Sequence, residues 1–238
     1  MQTVTDFSLN PAARSSLRHI GEEREPLLQI DDLLRCPEAL VDYAASEVTF
    51  QPAYGPAGGY PGIRAPAPLD YVEAVVRGVD PLLREAFGIR RAKLANVECN
   101  FSLITLTPDA LLPSQRIPHV DTTYPLQFAF LHYLCPPERG GTAFFRHRAT
   151  GFEALTPERA PAYTAARAEE EKGEGMTGYI HGDTEYFEQV DTVAAAYNRL
   201  VLYRSRVLHS GQIARLAEPA HDPRLGRLTA NIFVSYRA

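Results

Sequence analysis

Asn198-Arg-Leu-Val-Leu-Tyr-Arg-Ser-Arg-Val-Leu-His-Ser-Gly211 is the stretch on which the reading of the fold turns. Leu200-Val-Leu-Tyr203 is an apolar run of strand length, a short polar corner follows, and His209 opens a second strand. Working outward, the same texture recurs on both sides. Segments 94–107, 115–121, 126–135, 141–147, 186–191, 197–204, 206–213 and 227–236 are rich in β-branched and aromatic residues and are separated by turn signals. That rhythm predicts an all-β barrel or sandwich, interrupted by one helical insert over 157–171.

Before Gly88 the pattern differs. Residues 1–25 read as polar and irregular, and apolar residues at helical spacing predict a helix over Leu27–Ala45, interrupted or restarted at Pro37. Gln51–Gly62 reads as loop because of its Pro and Gly density, and a second helix is expected from Asp70 to Phe87. The expected organisation is an N-terminal helical support region, 1–94, and a β core, 95–238, forming one cooperative unit.

The chain has 238 residues, 45% of them apolar, which is enough for a sizeable core. A net charge of −5 gives no reason to expect nucleic acid, whose phosphates need a basic surface. Arg167–Glu174 reads as a solvated helix face. Cys36, Cys99 and Cys135 are odd in number and far apart, so neither a disulfide framework nor a thiolate zinc site is expected. Neither a secretory leader nor an apolar run of membrane-span length is evident. The expectation is a cytoplasmic protein without a membrane partner; the oligomeric state is not legible.

Among motifs that carry chemistry, Ile117-Pro-His-Val-Asp-Thr-Thr-Tyr124 stands out. A His and a carboxylate two positions apart on a strand share a face, so His119 and Asp121 can both reach one ion. One more His completes a two-His, one-carboxylate facial triad, the arrangement that suits non-haem Fe(II) and leaves positions open. A second HxD, His181-Gly-Asp183, competes for the role. In a jelly roll the HxD segment and the distal His are separated along the chain by four strands, which needs at least about 40 residues. His119 and His209 are 90 positions apart, whereas His181 and His209 are 28 apart, so His119 and Asp121 are favoured. His132, His147 and His221 read as ordinary core or surface residues. Arg227 enters the last apolar strand, where a buried guanidinium needs an anion, and Thr229 shares its face. Tyr54 and Tyr60, with the segment Tyr179–Tyr186, are candidate substrate walls.

The ordered set resembles the Fe(II)/2-oxoglutarate-dependent dioxygenase superfamily, and within it the prolyl 4-hydroxylase-like branch. The set is His119-Val-Asp121, Leu131-His-Tyr-Leu134, Gly140-Gly-Thr-Ala-Phe-Phe145, Arg199 to His209 and Arg227-Leu-Thr229. The resemblance spans about residues 95–237. It implies a mainly β double-stranded β-helix, a jelly-roll or cupin-like barrel, supported by N-terminal helices. It also implies iron ligation by His119, Asp121 and His209, with 2-oxoglutarate and O2 as cosubstrates. Arg227 would hold the distal carboxylate, assisted by Tyr133 and Thr229. The implied reaction is hydroxylation of a C–H bond in a small-molecule or peptide substrate, with release of succinate and CO2. The carboxylate ligand Asp121 favours hydroxylation over halogenation. Two departures are a longer gap from His209 to Arg227, filled by Arg215–Arg224, and an enlarged insert over 148–185. Two other readings stand beside this one: a cupin-like metalloprotein without 2-oxoglutarate turnover, and a catalytically silent binding or sensing barrel.

Overall fold

Strand alternation organises the molecule. The computed structural model describes residues 6–56, 58–173, 175–213 and 220–238. In β6 (Gln127–Tyr133), Phe128 and Phe130 face one way and Ala129, Leu131 and Tyr133 the other; in β9 (Arg199–Arg204), Leu200 and Leu202 oppose Val201 and Tyr203. Both faces of these strands are buried, which explains their near-continuous apolar sequence.

The first set of side chains packs against two helices, α1 (Pro37–Ser46) and α2 (Leu69–Phe87). On α2, Val75, Val79 and Leu83 are fully buried at helical spacing, each contributing about 1.5–3 kcal/mol. Gly88 ends the helix in the left-handed region at φ 68°, with its N–H on the Arg84 and Glu85 carbonyls. The second set of side chains faces the barrel interior. There it meets Phe144 of β7 (Gly141–His147) and Val193 of β8 (Phe187–Ala194).

The remaining strands are β1 (Arg14–Ile20), β2 (Glu25–Asp31), β3 (Gln51–Gly55), β4 (Gly58–Pro66), β5 (Lys93–Ile104), β10 (His209–Gln212) and β11 (Leu228–Arg237). The large sheet runs β1-β2-β9-β6-β11-β5-β4-β3 and the small one β10-β7-β8; every pairing is antiparallel. Two facing antiparallel sheets with helices behind the larger one make a mainly β jelly roll, as expected.

Several expectations are corrected. Leu27–Asp31 is strand, not helix. Leu28, Gln29 and Ile30 pair with Leu202, Val201 and Leu200 of β9, and Asp32 at φ 56° prevents helical continuation. The helix begins at Pro37, where the missing N–H is no loss. Part of the polar N-terminal stretch forms β1; its residues 1–5 lie outside the described residues. Gln51–Gly62 is not loop but most of the β3–β4 hairpin. Pro52 is tolerated there because β3 is the sheet edge. Segment 115–121 forms no regular strand, since Pro118 has no N–H to extend a ladder; one bridge, His119 to His209, remains. The region before residue 95 thus supplies four strands besides its two helices.

The insert carries α3 (Ala160–Glu170). Its charged run is not wholly solvated, because Glu170 lies beneath the surface with its carboxylate 2.9 Å from His147 Nε2. Glu174, and residues 214–219 of the long His209–Arg227 connection, fall outside the described residues. No helix among the described residues is long and apolar enough to cross a membrane, and the three cysteines are free thiols.

Candidate active site

The pairing of β10 with β7 fixes His209 opposite Phe144, at the mouth of the barrel. The HxD segment is then tied to β10 by backbone. His119 and His209 exchange both N–H···O bonds at 2.9 Å, and the Asp121 N–H donates to the Ser205 carbonyl at 2.8 Å. Four strands, β6 to β9, lie between the HxD segment and His209 in the chain, as the spacing argument requires, although the HxD backbone is irregular.

These tethers bring three donors together. Ligand atoms of His119, Asp121 and His209 all lie within 4.8 Å of one another, and each imidazole Nε2 is 3.9 Å from an Asp121 oxygen. His209 Nδ1 sits 2.8 Å from the Val207 carbonyl, which can only accept. The ring proton therefore resides on Nδ1, and Nε2 offers its lone pair. Burial pushes His209 down to about 4, keeping it neutral and available near neutral pH. Burial likewise raises Asp121, a cost that a bound cation would remove. Among the described residues this is the one such cluster. The competing motif is not gathered: Asp183 pairs with Arg148 at 3.0 Å and accepts from the Gln189 N–H.

The triad lines a cavity of about 400 Å³. Arg227 lines it too, only 4% exposed. Its Nη2 donates to the Gly141 carbonyl at 2.8 Å, while its buried Nε has no partner, and no carboxylate among the described residues pairs with it. A guanidinium so placed lacks its counter-ion. Gly211, two residues beyond His209, also lines the cavity: a Cβ there would press on Ile213 Cδ1 at 3.1 Å and come within 3.9 Å of Arg227 Nη2. These features fit both a metal and a carboxylate-bearing cosubstrate. The donor set is that of a facial triad, and the orphaned guanidinium faces the same cavity.

Tyr133 and Thr229 do not reach the lining. The Tyr133 ring lies 5.7 Å from the Arg227 guanidinium, but its hydroxyl is engaged with Thr142 Oγ1 at 2.6 Å. Thr142 stands at the wall instead. The Thr229 hydroxyl donates to Asn231 Oδ1 at 2.8 Å. Of the expected substrate walls, Tyr60 and Tyr179 line the cavity, whereas Tyr54 is exposed at the hairpin edge and Tyr186 packs by Arg167. Sequence reasoning missed Arg64 of β4, a second cation in the lining. It lies two residues past the Gln51–Gly62 stretch read as loop, in a short segment to which the sequence assigns no element.

No curated protein matches the chain in sequence. Its fold, however, is shared with solved structures. The non-heme alpha ketoglutarate dependent epimerase SnoN from nogalamycin biosynthesis superposes with TM-score 0.52 at 14% identity, covering 90% of this chain and 79% of that one. The carbocyclase SnoK from the same biosynthesis gives TM-score 0.51 at 14% identity, covering 90% and 80%. SnoN in complex with Fe3+, alpha ketoglutarate and nogalamycin RO gives TM-score 0.50 at 15% identity, again covering 90% and 80%. The double-stranded β-helix is therefore the fold of this chain. Residues 11–234 match the family of unknown function DUF6445, and the chain belongs to that family.

Proposed function

We propose that this DUF6445 protein is a non-haem Fe(II)- and 2-oxoglutarate-dependent oxygenase that hydroxylates a C–H bond of a small molecule. One observation carries the reading: a two-His, one-carboxylate cluster and a buried arginine with no acid partner among the described residues face the same cavity. SnoN and SnoK, which share the fold, are non-heme alpha ketoglutarate dependent enzymes, and SnoN has been captured with Fe3+ and alpha ketoglutarate. The prolyl 4-hydroxylase-like order of motifs agrees with the assignment and leaves a peptide substrate open. The three free thiols suit a reducing compartment such as the cytoplasm.

In this reading His119, Asp121 and His209 hold the iron, and Arg227 pairs with the distal carboxylate of 2-oxoglutarate. When bound, iron and cosubstrate together supply the O2-dependent oxidation, which the protein alone cannot perform. The chain's own groups orient and shield. The Val207 carbonyl fixes the His209 tautomer, and the Ser205 carbonyl holds the Asp121 backbone. Tyr133 flanks the Arg227 guanidinium and steadies Thr142 at the wall. Tyr60 and Tyr179, the latter anchored by its hydroxyl to the Leu106 carbonyl at 2.8 Å, limit water access.

The test is an anaerobic titration of metal-free protein with Fe(II) and then 2-oxoglutarate, following the visible charge-transfer band. The band should need both additions and be absent in His119→Ala. Metal binding with no response to 2-oxoglutarate would replace this reading with a cupin-like metalloprotein. No metal binding at all would leave a silent barrel.

A further inference from the structure

Arg64 is not needed to hold either iron or the distal carboxylate of the cosubstrate, yet it stands in the same cavity. The β4–β5 register sets it opposite Ser102, and its Nε donates to Ser102 Oγ at 3.1 Å. The Tyr60 ring lies 4.6 Å from the guanidinium carbon, which restrains the side chain by cation–π contact. Its neighbours on β4, Ile63 and Ala65, turn toward the helices, so alternation aims Arg64 inward.

Among the described residues its two Nη groups make no hydrogen bond, and no carboxylate lies within 4.0 Å of it. An arginine held by its Nε, with its terminal fork free, is set to meet a carboxylate bidentately. Charge balance points the same way. The lining holds two arginines and one carboxylate, Asp121. With a divalent metal and a dianionic cosubstrate in place, one positive charge is left over, and it is that of Arg64. Apolar and aromatic side chains, Ile104, Tyr179 and Phe233 among them, make up part of the cavity wall, beside the polar Ser114, Gln115 and Asn231.

We propose that Arg64 is the substrate-recognition residue, and that the substrate is a small monocarboxylate with an apolar body whose carboxylate pairs with the Arg64 fork. This rests on the oxygenase reading for the identity of the other ligands. The Tyr60 ring and Ser102 are its positioning partners.

The probes are 4-phenylbutanoate and its uncharged amide, measured by calorimetric titration into the Fe(II)-loaded protein with saturating 2-oxoglutarate and no O2. Wild type should bind the carboxylate about 10- to 100-fold more tightly than the amide, the span of a charge-assisted contact. Arg64→Gln should bind the two alike, with its 2-oxoglutarate affinity within about twofold of wild type. Arg64→Lys, which keeps the charge but loses the fork, should show a reduced preference, and it serves if the glutamine variant fails to fold. Equal binding of acid and amide by wild type would overturn the proposal, as would an undiminished preference in Arg64→Gln. A tenfold or greater loss of 2-oxoglutarate affinity in Arg64→Gln would assign Arg64 to the cosubstrate instead. Failure of 2-oxoglutarate to bind wild type would sink the oxygenase reading separately, because the acid–amide comparison can still be made on the metal-loaded protein.

Discussion

Replacing Arg227 with Met separates a functional cation from a structural one, because the first role predicts a small change in ligand-free stability and the second a large loss. In the ligand-free protein the guanidinium is buried with no acid partner among the described residues, so removing it relieves a desolvation cost of several kcal/mol. Against this, the Gly141 carbonyl loses its donor, at about 1–3 kcal/mol. These nearly offset, so ligand-free stability should stay within about 2 kcal/mol of wild type, or roughly 8 °C in melting temperature. Cosubstrate binding should behave quite differently. Losing one half of a buried charge pair costs about 2–5 kcal/mol, a weakening of about 30-fold to several thousandfold. The assay is thermal denaturation of the metal-loaded protein without O2, with and without 2-oxoglutarate. At about 100 times its dissociation constant, the cosubstrate should stabilise wild type by about 2.7 kcal/mol. At that same concentration the variant should gain about 0.9 kcal/mol or less. A wild-type shift in the variant would refute the carboxylate assignment. So would a ligand-free variant destabilised by more than about 4 kcal/mol, since Arg227 would then be part of the framework.

Three further perturbations probe the site and its scaffold. His132 is wholly buried between the Tyr71 hydroxyl and Asn198, and burial depresses it from 6.5 to about 4. The unfolded ring takes up a proton that the folded ring refuses, so stability is full above about 6.5 and declines as pH falls toward 4. The decline is at most about 1.4 kcal/mol per pH unit from this group. Denaturant titrations of His132→Gln across that window should show a shallower decline than wild type, and identical slopes would contradict the assignment. Gly211→Val should retain metal while weakening 2-oxoglutarate about tenfold or more, because overpacking costs about 1–3 kcal/mol and the added carbons press on Ile213 and crowd the cavity wall near Arg227. Calorimetry with each ligand separates the two effects. Gly62→Ala would place a Cβ 2.0 Å from the Leu103 carbonyl oxygen and 2.9 Å from the Thr105 nitrogen. The β4–β5 ladder must shift, so a stability loss of about 1–3 kcal/mol is expected in a denaturant titration.

The barrel was legible because its central strands carry long apolar runs and its connections carry turn residues. The clustering of His119, Asp121 and His209 was legible because HxD, the distal His and their spacing along the chain obey one topology. What eluded the sequence has physical causes. Leu27–Asp31 presents apolar residues at spacings shared by helix and strand, and only pairing with β9 decides between them. The β3–β4 hairpin hides in a Pro- and Gly-rich stretch because an edge strand tolerates residues that a central strand excludes. Arg64 was lost along with it. Tyr133 and Thr229 shared a face with the site as the pattern required, but nearby Thr142 and Asn231 capture their hydroxyls. Sequence periodicity gives a direction and not a depth.

The paired hydrogen bonds between His119 and His209 bear on how the proposed ion would be acquired. They close a chain segment of some 90 residues by main-chain contact alone, so the entropy of that closure is already lost before any cation arrives. On the proposed reading a metal would enter a finished socket. Its loading should resemble ligand exchange rather than the coupled folding of a zinc finger, and a chelated protein should keep its barrel. A socket built that way also has little means of refusing other divalent ions of similar size, so which one it carries would follow from what its surroundings supply.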